Sequence, residues 1–418
     1  MIVTKLKITN LRPIETAEFQ FKPGFNLIFG INGVGKTSVL NALSVCLSAV
    51  VKQVNKLHNP VEAFTDNDIR IGSRMLTVEC GVRFNNHDYV YLVHKPRESS
   101  AVQKKKTGMP REQSIDTPEL SQYIGDIPSL ATGKEKGGRP LAVLFLTSRA
   151  VPSERAPGKY VSEGKVAGAF GDTFASRELR LGEFADWMSV QLALCRESPE
   201  KKRKLDAVEE AVTRFLPGYK NLHLGSDTGK KLLIDHDGKE IAVRDLSDGE
   251  RGVLALVLDL TRRLAQANPD MQDPAAEAEA IVLIDEIELH LHPQWQRDII
   301  RNLSKAFPRC QFIATTHSPQ IIGEVEHEQI QYFSKGGVYS PPYSYGIDSS
   351  RVLEEIMNSD QRTSDVKELL SKISELIGKH KFDLARERLK ELKTMLRRED
   401  DPMITRLETL LGFLEGKD

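Results

Sequence analysis

The chain has 418 residues, 40% of them hydrophobic, with 58 Lys and Arg against 59 Asp and Glu and a formal charge of −1. That length supports roughly two or three domains around a substantial core, and so even a charge balance excludes a global attraction to nucleic acid or an anionic membrane, leaving only local patches. Cys46, Cys80, Cys195 and Cys310 lack paired spacing, which argues against a zinc site or disulfide framework and makes reduced thiols of a cytoplasmic protein the simplest expectation.

Residues 2–8 alternate apolar and polar side chains, residues 19–21 are β-prone, and residues 25–29 are mostly apolar and run into glycines, so three strands are predicted to lead into a loop. The opening carries no signal-peptide pattern, and no apolar run reaches the roughly 18 residues of a membrane span. Helical spacing begins at Ser38, and residues 76–84 and 89–93 predict a hairpin turning at Asn85-Asn86. Residues 97–139 are rich in Lys, Gly, Ser and Pro and predict a long loop. Its Lys104-Lys105-Lys106 triplet suits contact with nucleic acid, although a solvated charge run is the commoner outcome. Residues 141–146 resume as a buried strand, and helical spacing over residues 176–216 predicts a helical subdomain. Residues 232–234 and 240–243 flank Asp237-Gly238 as a hairpin, and residues 253–264 predict a helix. A strand over 280–284, a helix over 295–307, a strand over 311–315 and a polar loop through 349 follow. Leucines at helical spacing over 365–396, interrupted at 378–382, predict a helical hairpin.

The strongest motif is Gly30-Ile31-Asn32-Gly33-Val34-Gly35-Lys36-Thr37, which fits GxxxxGK[ST] between a predicted strand and a predicted helix. Glycines let successive backbone N–H groups turn toward phosphates, and the helix that follows directs its positive end at them. Lys36 then reaches the β and γ phosphates of ATP, and Thr37 offers its hydroxyl to Mg2+. At the end of the apolar run 281–284, Asp285 and Glu286 are placed to hold Mg2+ and to act as general base. Taken alone that strand could be an ordinary buried one; a phosphate loop requires such an acidic partner.

Leu246-Ser247-Asp248-Gly249-Glu250-Arg251 resembles the ABC signature LSGGQ, with Asp248 and Glu250 as departures, although Ser-Asp-Gly is also an ordinary turn and helix cap. Residues 288–296, ELHLHPQWQ, fill the place of the ABC D-loop, and Thr315-Thr316-His317-Ser318-Pro319 that of the switch histidine. His290 and His292 look like a metal pair but find no further ligand cluster in the sequence. Together these motifs resemble the SMC, RecF and overcoming-lysogenization-defect branch of ABC ATPases over the whole chain. With residues 346–355 and the helical tail, they look most like the ATPases of Septu-type and retron-associated anti-phage systems.

The resemblance implies an α/β fold: an ABC-type P-loop ATPase head with a mixed sheet, an inserted helical lid and a C-terminal helical hairpin. It divides the chain at 1–150, 151–243, 244–349 and 350–418, the last a candidate partner-binding region. It assigns nucleotide contacts to Arg12, Asn32, Gly33, Gly35, Lys36, Thr37, Ser38, Ser247, Gly249 and Glu250, metal contacts to Thr37 and Asp285, and catalysis to Lys36, Glu286 and His317. Arg149 is the candidate for the glutamine-loop contact, since no glutamine loop is evident. The absence of a long heptad coiled coil argues against a true SMC protein, and no nuclease motif stands out. The expected function is an ATPase, acting as a head-to-head dimer or higher oligomer, that gates an effector such as an HNH nuclease, with nucleic acid as a further candidate partner and no membrane. The rival is a RecF-like repair ATPase that binds duplex DNA itself. A transporter ATPase is disfavoured by HLHPQWQ and the tail.

Overall fold

A computed structural model describes residues 1–57, 61–97, 122–124, 138–150, 166–174, 179, 181–195, 202–225, 231–357, 363–396 and 401–414. The lysine triplet 104–106, and the side chain of Arg149, lie outside the described residues. The chain divides into two compact units, Met1–Ser349 and Ser350–Asp418.

The first unit begins with β1 (Ile2–Leu11) and β2 (Ile14–Gln20), then β3 (Phe25–Phe29), helix α1 (Lys36–Val54), the hairpin β4 (Met75–Phe84) and β5 (His87–Pro96), and β6 (Gln122–Ile124). β7 (Leu141–Phe145) follows, then helices Leu181–Cys195 and Arg203–Phe215, and β8 (Tyr219–Leu224), β9 (Leu232–His236) and β10 (Lys239–Ala242). The helix Asp248–Ala267 carries the signature at its start; after it come β11 (Ala280–Ile284), the helix Pro293–Ala306, β12 (Cys310–Thr316), β13 (Ile330–Ser334) and β14 (Gly337–Tyr339).

These strands form three sheets, ordered β2-β1-β4-β5-β6, β10-β9-β8 and β14-β13-β3-β12-β11-β7. In the last, β7, β11, β12, β3 and β13 are parallel and β14 is an antiparallel edge, so the sheet is mixed. β3, β7, β11 and β12 are buried at every residue, which is why they read as continuous apolar runs rather than alternating ones. α1 touches strands of both larger sheets. Buried from two sides, it is the one helix among the described residues long and apolar enough to cross a membrane by length and composition, with 78% of its apolar window inside the protein.

Two strands occupy what the sequence presents as a polar loop before residue 349, and β8 precedes the predicted hairpin. β13 is five residues long, and its buried Gln331 is satisfied by the backbone of Gln20, a pairing no local pattern announces. In the second unit the expected hairpin, Ser364–Gly378 and Phe382–Leu396, gains a third helix, Pro402–Leu414. Val366, Leu369, Ile373 and Ile377 recur at intervals of three and four, as do Leu389 with Leu392 and Ile404, Leu407 with Leu411, and they close a core of their own.

Candidate nucleotide site

Parallel pairing puts the carboxyl ends of β3, β12 and β11 along one edge, in that order, with Thr315 opposite Ile28, Thr316 opposite Phe29 and Ala314 opposite Ile284. Ligands of open α/β sheets bind at that edge. β3 runs there into residues 30–35, where Asn32 and Gly33 are exposed and Gly33 and Gly35 hold φ of 78° and 110°. A Cβ on Gly35 would lie 2.9 Å from Ile14 Cγ1, so the loop rests directly on the β1–β2 turn. Lys36 and Ser38, in the first turn of α1, are buried.

Lys36 Nζ donates to the carbonyls of Gly30 (2.9 Å) and Ile31 (3.1 Å), so the ammonium lies across the loop it belongs to. Burial lowers its pKa, opposed by the nearby carboxylates of Asp285, Glu286 and Glu288. Thr37 Oγ1 donates to Asp285 Oδ2 at 2.9 Å, and Thr315 Oγ1 donates to Asp285 Oδ1 at 2.6 Å. Both carboxylate oxygens of a residue only 4% exposed are therefore held by hydroxyls. The Thr315 hydroxyl also accepts from the Glu286 N–H at 2.8 Å. Glu286 takes φ of 46°, a left-handed conformation costing about 1–2 kcal/mol for an ordinary residue. It breaks the alternation of the strand at the point where two carboxylates follow one another.

His317 leaves β12 beside them, half-buried; burial lowers its pKa and Lys36 adds to this, against Glu288, Glu286 and Asp285. A neutral imidazole at pH 7 follows. The backbone N–H of His317 donates to Glu288 Oε1 at 2.5 Å, while Thr316 Oγ1 donates to Glu288 Oε2 at 2.8 Å. Glu288, Thr315 and Thr316 have structural places here that motif reasoning missed. The available signal was a third acidic residue within the span 285–288 and a pair of adjacent threonines before the histidine.

The signature residues form a second cluster. Ser247 caps the helix Asp248–Ala267 in a capping box: Ser247 N and Oγ donate to Glu250 Oε2 (3.1 and 2.6 Å), and Glu250 N donates back to Ser247 Oγ (3.4 Å). Tyr219 OH donates to the other oxygen of Glu250 at 2.9 Å, its ring stacked on His236 with centroids 4.0 Å apart. Gly249 is buried against the D-loop, where a Cβ would come within 2.5 Å of the His290 carbonyl oxygen. Among the described residues, no hydrogen bond joins Ser247 or Glu250 to Lys36 or Thr37. Arg12 also stays apart: its guanidinium pairs with Asp68 at 2.8 Å, although its turn carries the Ile14 that touches Gly35. His292 Nδ1 accepts from Gln294 N at 3.4 Å and caps a helix.

The family of AAA domains described as "putative AbiEii toxin, Type IV TA system" matches residues 111–323, and a further AAA domain family matches residues 5–155. The chain is 39% identical over 183 residues to the Retron Ec83 probable ATPase of Escherichia coli, covering 43% of this chain and 33% of that one. It is 26% identical to the Retron Vc95 probable ATPase of Vibrio cholerae serotype O1 biovar El Tor, over 74% of this chain and 68% of the relative. It is 22% identical to the Septu protein PtuA of Bacillus thuringiensis, over 87% of this chain and 86% of the relative. The match to the Ec83 protein thus spans about a third of that relative's length.

Proposed function

This chain belongs to the family of AAA domains described as putative AbiEii toxin, Type IV TA system, and we propose that it binds and hydrolyses ATP to gate a partner effector in anti-phage defence. The observation that carries the ATPase reading is the hydrogen-bonded run Thr37–Asp285–Thr315 set beside Lys36 at the carboxyl edge of the sheet.

Thr37 and Asp285 offer hard oxygen donors 2.9 Å apart, the chemistry Mg2+ prefers, and these two residues would hold it. The ion supplies charge neutralisation on the phosphates. Lys36 turns from the loop carbonyls to the β and γ phosphates, and Gly33 and Gly35 leave the loop N–H groups free to face them. Glu286 takes the proton of the attacking water, and neutral His317 donates a hydrogen bond to the γ phosphate.

One phosphate loop surrounds only part of a triphosphate. Ser247 and Gly249 sit at the start of a helix, with no hydrogen bond from Ser247 to Lys36 or Thr37 among the described residues, and in this reading they complete the site of a second head in a head-to-head dimer. ATP then favours pairing by binding the paired state better than the separate heads. The likeness to retron and Septu proteins supports a defence role; we place that role in the cytoplasm and propose an effector such as an HNH nuclease as the partner.

The test mixes two inactive variants, Lys36→Ala and Ser247→Arg. Their heterodimers hold one site with both lesions and one with neither, so hydrolysis should partly return. Exchanging chains that recover nothing refute the composite site. Salt-dependent duplex binding by the chain alone would favour the RecF-like alternative instead.

A further inference from the structure

The segment between Glu286 and Pro293 does more than connect β11 to the next helix. It turns tightly, with Leu289 N donating to Glu286 O (2.9 Å), Leu291 N to Glu288 O (2.8 Å), and His290 at φ 62°. From this turn the half-buried Glu288 spends both carboxylate oxygens on the end of β12, one on the Thr316 hydroxyl and one on the His317 backbone N–H. A second strut joins the same two segments. Gln296 Nε2 donates to Leu291 O at 2.9 Å, while its Oε1 accepts from Ser318 Oγ at 2.6 Å.

On its other side the turn meets the signature helix, where Gly249 leaves no room for a side chain above the His290 carbonyl. Within one head the contacts therefore run without a gap from Gly249 to His290, along the turn to Glu288, and across to Thr316 and His317. Hydrogen bonds to an ionised carboxylate are among the stronger ones, and a segment held at several points moves as a unit.

We propose that Glu288 is a positioning residue, holding His317 against the turn 286–291 and relaying the position of the signature helix to this head's own switch histidine. The relay rests on the composite-site reading above: the signature of one head serves a neighbour's nucleotide, so the neighbour's ATP, by seating Gly249 and Ser247, sets His317 here. Hydrolysis at the two sites is thereby coupled through each head rather than only across the interface.

The test uses the full chain with Glu288→Gln, Glu288→Asp, Gly249→Ala and the double variant Glu288→Gln/Gly249→Ala. Glu288→Gln keeps the size of the side chain but replaces one accepting oxygen by an amide donor. It should lower kcat roughly tenfold to a hundredfold, the scale of a misplaced catalytic group. The KM for ATP and the affinity for a fluorescent ATP analogue should stay within about twofold, and cooperativity in ATP should disappear. Glu288→Asp, which keeps the charge, should recover part of kcat. Gly249→Ala should push the turn from the other side and lower kcat as well, with a change in ATP affinity also expected because Gly249 belongs to the composite nucleotide site, and the kcat of the double variant should be no lower than that of its slower parent.

Parental kcat in Glu288→Gln, or a loss in affinity rather than in kcat, would overturn the positioning role; unchanged analogue affinity and melting temperature exclude misfolding as the cause of a loss. Multiplying losses in the double variant would overturn the relay. Full hydrolysis by Ser247→Arg would instead bring down the composite site, and the kcat of Glu288→Gln would still decide the positioning role.

Discussion

The nucleotide edge of the first unit and the helical second unit are built on opposite terms. At the edge, charged and polar side chains are buried or half-buried and each is tied to specific partners: Lys36 to two carbonyls, Asp285 to two hydroxyls, Glu288 to a hydroxyl and an N–H. In the second unit the core is leucine, isoleucine, valine and alanine, while charges sit outside in pairs such as Lys372–Glu368 at 2.6 Å. Taking an ion out of water costs several kcal/mol, whereas burying a leucine stabilises by about 1.5–3 kcal/mol. A fold needs only the second kind of burial. Lys36 and Asp285 are buried at the carboxyl edge of the sheet, where ligands of such sheets bind, and there the cost marks chemistry.

If that contrast is right, substitutions at the edge should remove activity while sparing the fold, and substitutions in the helical core should do the reverse. The largest effect is expected for Glu286→Gln. ATP binding should persist, because Lys36, Thr37 and Asp285 are untouched, while hydrolysis falls by roughly 10²–10⁴-fold for want of a base. Near-parental turnover would take Glu286 out of that role. Next comes Leu392→Ala, a fully buried leucine of the second unit. It should destabilise its helices by about 2–5 kcal/mol and raise hydrogen exchange in residues 364–414, with kcat nearly unchanged. A parallel loss of kcat would show that the two units do not divide the labour this way.

Legibility follows the same line. β3, the phosphate loop, α1 and the carboxylates after β11 could be read directly because their signals are local: a glycine pattern, a continuous apolar run, two adjacent acids. Glu288 showed only as a third acid within 285–288, and its role stayed hidden because its partners Thr316 and His317 lie 28 and 29 residues further on and the parallel pairing of β11 with β12 brings them together. Arg12 illustrates the same gap. Its partner Asp68 is 56 residues away, and no spacing in the sequence pairs them. β8 escaped because YKNLHL alternates weakly and buries only Tyr219 and Leu222. The third helix of the second unit lies beyond the last leucine of the predicted hairpin and begins at Pro402.

The smallest effect tests whether the signature cluster belongs with the edge or with ordinary helix capping. Tyr219→Phe removes the hydroxyl that donates to Glu250 but keeps the ring that stacks on His236. Glu250 still accepts from Ser247 N and Oγ, so the loss should be that of one hydrogen bond to a half-buried carboxylate, about 0.5–1.5 kcal/mol in thermal or denaturant unfolding. Its pH dependence has a definite sign. Burial would raise the pKa of Glu250, but the hydrogen bonds from Ser247 and Tyr219 outweigh it and leave the carboxyl below its ordinary 4.5. A depressed carboxylate stabilises the fold above its unfolded pKa and loses that contribution as pH falls through the folded value. The difference between Tyr219→Phe and the parent should therefore be full at pH 7 and shrink below pH 4.5. A difference that persists unchanged at acid pH would place the effect of Tyr219 in packing against β9 rather than in the carboxylate of the signature.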